Sequence, residues 1–167
     1  MLEIYTSESV TDGHPDKLAD QVSDAIVDRV ITDNPEGAAA VDTFLCGNTV
    51  ILTGAIAGGL TFEPCDLAEE VIACGGYIGP NAVDYRSLDI VSRICTREDD
   101  LARHFEPSPG GTIYGYACDE TPELMPFPTM LAHMLARYLS KEGQNVVPHM
   151  RPQCSVRVSA VYMGSVL

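Results

Sequence analysis

Two strand-favouring segments joined by a two-residue turn constrain the fold of this chain most strongly. Residues Ala39–Cys46 and Thr49–Ala57 are rich in apolar and β-branched side chains, and Gly47-Asn48 lies between them. A connection of this length and composition is typical of a tight β-hairpin, because such turns need positive φ angles that glycine and asparagine tolerate. The sequence therefore predicts a sheet that contains this antiparallel pair.

Apolar residues at helical spacing, together with prolines and glycines at the helix ends, predict three helices that would cover the sheet. The first begins near Pro15, which suits a first helical turn, and ends before Asn34-Pro35-Glu36-Gly37. The second spans Glu63–Cys74. The third spans Pro128–Lys141, with Gly143 as its predicted end. A stripe of Met and Leu side chains on this third helix favours a core or subunit contact.

Alternating polar and apolar residues predict further strands at Leu2–Ser7, Leu88–Ile94 and Cys154–Tyr162. Thr112–Cys118 is a further strand candidate, and a loop is predicted over 106–111. The order is strand, helix, hairpin, helix, strand, loop, helix, strand. This order predicts an α+β fold in which a sheet is covered by helices.

The chain has 167 residues, of which 24 are acidic and 10 are basic, so its net charge is −14. This balance argues against binding to nucleic acid or anionic lipid, both of which need a basic surface. No apolar run reaches the roughly 18 residues that a membrane-spanning helix needs. The first residues lack the basic region of a secretory signal, so we expect a cytoplasmic protein. Its six scattered cysteines are then predicted to be free thiols used as small core residues.

The segment Thr6–Gln21 combines the residue types of an anion-binding site. His14, Asp16 and Lys17 lie within four residues, at a glycine turn that begins the first predicted helix. The N-terminus of a helix favours anions, a carboxylate there can hold Mg²⁺, and the imidazole and ammonium groups can face phosphate oxygens. An ordinary capped helix start can contain similar residues, so the spacing alone leaves both interpretations open.

The same segment resembles, almost residue for residue, the opening signature of the S-adenosylmethionine synthetase family. Tyr114–Pro128 is similar to the family's glycine-tyrosine-alanine, glutamate-threonine and leucine-methionine-proline stretch, and Arg151-Pro152 matches a further landmark. Members of the family are more than twice as long and consist of three related α+β domains. The resemblance implies that residues 1–167 form a single synthetase-like unit that matches the N-terminal part of the family and lacks its C-terminal part.

The resemblance also implies a reaction, the transfer of the adenosyl group of ATP to the sulfur of methionine. By motif, His14 resembles the histidine beside the triphosphate of ATP, and Lys17 belongs to the same catalytic and ATP-binding motif. Asp16 resembles a Mg²⁺ ligand. Asp42 takes the place of a family glutamate that binds K⁺. The implied substrates are therefore ATP and methionine, and the implied cofactors are Mg²⁺ and K⁺.

Several matched positions depart from the family pattern. Ala55 replaces a glutamate that recognises methionine, and Pro109 replaces the aspartate of a glycine-rich motif. Ser155 replaces a lysine that meets ATP, although Arg157 is nearby. A tripolyphosphate carries about four to five negative charges, more than so few basic residues are expected to neutralise.

In the family the active site lies between two subunits, so three interpretations remain open. The chain can be one subunit of a homo- or hetero-oligomeric synthetase that contributes the His14 and Asp16 part of a shared site. It can be a catalytically degenerate subunit that stabilises or regulates a synthetase partner. It can also be a self-sufficient small enzyme or a fragment of a longer one.

Overall fold

The structure is a computed structural model that describes residues 2–78, 84–97 and 112–164. Its strands are β1 (Leu2–Val10), β2 (Ala38–Cys46), β3 (Thr49–Ala57), β4 (Asp89–Arg97) and β5 (Ser155–Met163). Its helices are α1 (Pro15–Asp33), α2 (Pro64–Cys74) and α3 (Phe127–Val146), with a 3₁₀ turn at Tyr85–Ser87. The chain divides into unit 1, residues 1–14 and 112–167, and unit 2, residues 15–111. The predicted loop over 106–111, with Pro109, lies outside the described residues.

The sheet of unit 2 contains the predicted hairpin. Strands β2 and β3 pair in antiparallel fashion with Cys46 opposite Thr49, and Gly47 of the turn has a φ of +61°. Strand β4 lies parallel to β3 on its other edge, with Asp89 opposite Thr49. Helix α2 provides the crossover that a parallel pair requires.

Helix α1 packs on one face of this sheet because its apolar residues recur every four positions. Leu18, Val22, Ile26 and Val30 are all buried, as their spacing predicts. Helix α2 adds buried residues to the same core and begins and ends within one residue of its predicted bounds. The strands supply the facing side chains of that core, which are Val41, Val50, Leu52 and Ile56.

Unit 1 contains a two-stranded antiparallel sheet of β1 and β5, covered by α3. The register pairs Leu2 with Met163 and Val10 with Ser155, so both predicted strands are confirmed and β1 extends to Val10. Together the two units confirm the predicted α+β class. No helix within the described ranges is both long enough and apolar enough to cross a membrane.

Two predictions in unit 1 are wrong. Residues 112–118 form no strand, because no described strand pairs with them and an isolated segment cannot complete a ladder of hydrogen bonds. Helix α3 continues past Gly143 to Val146. That glycine is buried, and a Cβ atom there would lie 2.5 Å from Sδ of Met150. It therefore permits close packing and does not end the helix.

The apolar stripe of α3 is more exposed than its spacing suggests. Met134, Leu135 and Tyr138 are exposed, whereas the small residues Ala132 and Ala136 are buried. Residue size explains this burial pattern, because small residues allow α3 to approach the two-stranded sheet closely.

The prediction that the cysteines are core residues is wrong. All six are free thiols, of which three are exposed and three are of intermediate burial.

Substitution of Gly54 tests the hairpin geometry. Gly54 has a φ of +134°, and a Cβ atom there would lie 2.1 Å from the carbonyl oxygen of Ala40. We expect Gly54→Ala to lower the free energy of unfolding by at least about 2 kcal/mol, measured by urea denaturation. Gly47→Ala is the matched control, because Gly47 has a positive φ and no atom near the added Cβ. It should cost only about 1 kcal/mol, and equal costs would contradict the steric explanation.

Candidate functional site

The turn between β1 and α1 is held by one buried hydroxyl group. Thr11 is 1% exposed, and its hydroxyl donates a hydrogen bond to the carbonyl oxygen of Pro152 at 2.6 Å. The hydroxyl oxygen of Thr11 also accepts a hydrogen bond from the Cys154 N–H at 2.8 Å. The Thr11 N–H in turn donates to the Cys154 carbonyl at 3.0 Å. Residues 11 and 152–154 are thereby fixed to each other inside unit 1.

Two further hydrogen bonds fix the residues that follow Thr11. The Asp12 N–H donates to Oγ of Ser140 on α3 at 3.0 Å. The His14 N–H donates to the Thr11 carbonyl at 3.0 Å, which closes the turn. The backbone of His14 is therefore positioned by contacts to the 152–154 segment and to α3.

His14, Asp16 and Lys17 follow one another across the start of α1. His14 is the last residue of the first chain segment of unit 1 and is partly exposed. Asp16 and Lys17 are exposed in the first helical turn, directly after Pro15. The backbone N–H groups of a first helical turn have no partners within the helix, so this terminus favours an anion. The candidate residues are thus neighbours in the chain, with an imidazole directly before α1 and a carboxylate and an ammonium group in its first turn.

Asp42 lies on the other face of the unit 2 sheet. Thr43 faces α1, since its Oγ1 accepts a hydrogen bond from Oγ of Ser23 at 2.9 Å. Side chains alternate along a strand, so the exposed Asp42, opposite Thr53, faces away from α1. Ala55 lies on that same outer face, two residues beyond Thr53. The structure therefore does not bring Asp42 together with Asp16.

Asp16 and Asp42 are the two carboxylates that the sequence predicts as metal ligands, and each must be compared with what its metal ion needs. Within residues 2–78, 84–97 and 112–164, no three His, Cys, Asp or Glu side chains form a group that could hold a metal ion. Mg²⁺ is commonly bound by only one or two carboxylates together with substrate phosphates. Asp16 fits that type of substrate-bridged Mg²⁺. Asp42 remains a predicted K⁺ ligand.

Arg157 is paired with a residue of the opening segment. It lies opposite Glu8 in the β1–β5 register, and its Nη2 is 2.9 Å from Oε2 of Glu8. The hydrogen bonds and charge of Arg157 hold the pKa of Glu8 below its ordinary value. This pair and the Thr11 anchor were not identified from the sequence, because their partners lie more than a hundred positions away.

The helix N-terminus with these residues therefore stays a predicted site for a phosphate-bearing ligand. Family models assign this architecture: the S-adenosylmethionine synthetase N-terminal domain matches residues 3–98, and the central domain of the same enzyme matches residues 108–166. The chain therefore belongs to the S-adenosylmethionine synthetase family, as its opening segment suggests.

Relatives named S-adenosylmethionine synthase match nearly all of the chain. The protein of Prochlorococcus marinus strain MIT 9515 is 40% identical over 98% of this chain. The S-adenosylmethionine synthase 1 of Rhodospirillum rubrum is 40% identical over 95%, and that of a Sulfurovum species is 37% identical over 96%. Each match covers 44% of the length of the relative, so the chain spans less than half the length of these proteins.

Removal of the Thr11 hydroxyl tests the anchor. Thr11→Val keeps the shape of the side chain but leaves the partly buried Cys154 N–H and Pro152 carbonyl without this partner. We expect the free energy of unfolding to fall by about 1–3 kcal/mol in urea denaturation. Thr6→Val removes an exposed hydroxyl from the same strand and should cost less than about 0.5 kcal/mol. Equal losses of unfolding free energy in the two variants would show that the hydrogen bonds of the Thr11 hydroxyl contribute no specific stability.

The Glu8–Arg157 pair predicts a pH dependence. A carboxyl group with a lowered pKa contributes stability above its ordinary value of 4.5, and this contribution is lost as the pH falls through the lowered pKa. We expect Arg157→Gln to raise the pKa of Glu8 toward the ordinary value, measured by carbon-detected NMR titration of its carboxyl group. Arg137→Gln removes the same charge from α3 and should leave the pKa of Glu8 unchanged. A Glu8 pKa that is the same in all three proteins would refute the pairing.

Proposed function

We propose that this chain is a subunit of a methionine adenosyltransferase and contributes His14, Asp16 and Lys17 to an active site shared between subunits. The observation that carries the proposal is the intact opening signature, with its turn anchored by Thr11, in a chain that belongs to the synthetase family. The substrates would be ATP and methionine. Mg²⁺ and K⁺ would be the cofactors, and a cytoplasmic location remains our expectation.

The proposed reaction is an in-line displacement at C5′ of ATP. A lone pair of the methionine sulfur forms the new S–C5′ bond, and the C5′–O bond breaks with its electrons passing to the triphosphate. Negative charge therefore develops on the leaving group. Groups that already point at that charge lower the barrier because they interact more strongly with the transition state than with bound ATP.

The residues at the start of α1 are suited to this task. His14 would donate a hydrogen bond to the departing triphosphate oxygen, and Lys17 would place its ammonium group against the phosphates. Asp16 would hold Mg²⁺, which supplies positive charge to the phosphate oxygens. Asp42 would bind K⁺ on the outer face of the sheet.

Two observations support a site that is shared between subunits. Asp42 and Ala55 lie on the sheet face that points away from α1, so the predicted K⁺ ligand and the position of the family's methionine-recognising glutamate are on a different surface of unit 2 from the helix start. Cations are also scarce, since the chain has only ten basic residues and Arg157 is already paired with Glu8. A second synthetase subunit, identical or different, would supply the missing cations and the methionine contacts.

A second candidate function is that of a degenerate partner that stabilises or regulates a synthetase. Ala55 has no group that could bind the ammonium of methionine, and Ser155 begins β5 where the family has a lysine. These replacements favour a role in assembly. The two candidates differ in what they require of His14.

The activity of the mixed subunits distinguishes the two candidate functions. We expect the chain, combined with a synthetase-like protein from the same genome, to form S-adenosylmethionine from ATP and methionine in the presence of Mg²⁺ and K⁺. His14→Ala should lower that rate by roughly 10²- to 10³-fold, because it removes a donor to the leaving group. His149→Ala, which removes an exposed histidine outside the signature, is the matched control and should leave the rate unchanged.

Each alternative outcome has a definite meaning. A rate in the mixture that survives His14→Ala would replace the shared site by the degenerate partner. Formation of S-adenosylmethionine by the isolated chain at the rate of the mixture would show that the second subunit of the site is another copy of this chain. Product should be quantified by chromatography with mass detection, and complex formation should be checked by light scattering.

A further inference from the structure

Unit 1 contains a cavity of about 530 Å³ that none of the proposed transferase residues lines. It is bounded by β1, β5, the first turn of α3 and the segment that precedes α3. Sites for small molecules usually have volumes of about 300–1,000 Å³. The cavity therefore has the size of a small-ligand site and is distinct from the turn at His14.

Three tyrosines form much of its wall. Tyr162 is only 8% exposed and forms an inner wall, and Tyr5 and Tyr116 are 56% and 71% exposed at the opening. The rings of Tyr5 and Tyr162 meet at 89°, with their centroids 5.3 Å apart. The face of an aromatic ring attracts cations, and neighbouring rings set at an angle are typical of the cages that bind alkylated ammonium groups.

The charge of the cavity has one sign. Glu3 and Glu120 line it, and its described lining contains no Lys, Arg or His. The Tyr162 hydroxyl donates to Oε2 of Glu120 at 2.8 Å, and the Tyr5 hydroxyl donates to Oε2 of Glu3 at 3.1 Å. Each carboxylate is thereby held beside a ring. The electrostatic field inside the cavity consequently favours a positive ligand.

Tyr5 and Tyr162 keep their protons across the physiological range. Burial and the hydrogen bond to Glu120 raise the pKa of Tyr162 to about 12. The hydrogen bond to Glu3 raises the pKa of Tyr5 as well. The phenol groups therefore remain neutral donors to the two carboxylates at neutral pH, and the arrangement does not depend on small changes of pH.

We infer that this cavity binds a small organic cation of the alkylated ammonium class. A metal ion fits less well, because Oε2 of Glu120 already accepts hydrogen bonds from Tyr162 and from the Phe127 N–H. The described residues also contain no group of three potential metal ligands. An alkylated ammonium ion is weakly hydrated and spreads its charge over methyl groups, so it can contact ring faces and carboxylates without direct coordination.

Titration of the full chain with choline tests this inference independently of adenosyl transfer. We expect saturable NMR shifts of the Tyr5 and Tyr162 ring signals. The neutral isostere 3,3-dimethyl-1-butanol has the same shape without the charge, and it should bind about tenfold more weakly. Equal affinities, or no saturable shift with choline up to about 50 mM, would overturn the inference.

Two variants locate the binding. Glu120→Gln keeps an oxygen acceptor for Tyr162 but removes the charge, and Tyr116→Leu removes the most exposed ring without disturbing the core. Each should weaken choline binding about fivefold or more. Glu36→Gln, an exposed charge change in unit 2, should have no effect. Unchanged affinity in both cavity variants would overturn the assignment.

A last comparison distinguishes a free ligand from a basic side chain of a polypeptide. Nα-acetyl-lysine amide presents the primary ammonium group of the lysine side chain on a flexible stem. Weaker binding of this compound than of choline is the result expected for a site that takes a free alkylated ammonium ion. Binding at least about tenfold tighter than choline would overturn the inference and assign the cavity to a lysine of another segment or chain.

Discussion

The buried hydroxyl of Thr11 is the interaction on which the candidate site depends. It supplies hydrogen-bond partners to partly buried backbone groups of Pro152 and Cys154, and it does so at the residue where β1 has ended and the turn to α1 begins. The hydrogen bonds of Asp12 and His14 extend this fixed region toward the helix. The position of the His14 backbone therefore follows from contacts between distant parts of unit 1.

Electrostatics give this acidic chain two different kinds of surface. At the start of α1, helix polarity, His14 and Lys17 favour an anion although the net charge of the chain is −14. In the cavity of unit 1, two carboxylates and three tyrosine rings favour a cation. Arg157 is paired with Glu8, so it adds little free positive charge. Local geometry, and not the overall charge, therefore determines which ligands each surface can attract.

The elements predicted well are those whose signals are local. The hairpin follows from a two-residue turn, and α1 and α2 follow from apolar spacing and from prolines in their first turns. The errors arise where a distant partner decides. Gly143 continues a helix because Met150 packs against it, and residues 112–118 form no strand because no described strand pairs with them. The exposed Met134 and Leu135 show likewise that spacing identifies an apolar face but not what covers it.

The sequence by itself determined the chemical content of the candidate site and the family. His14, Asp16 and Lys17 lie within four positions, so the chain connectivity alone keeps them near one another. Only the tertiary structure decided that Thr11 anchors this turn, that Arg157 is engaged by Glu8, and that Asp42 faces away from α1. These features depend on strand register and on burial. Both are set by contacts between residues far apart in the chain, such as Thr11 and Pro152, which are separated by 141 positions. Local periodicity contains no information about such contacts.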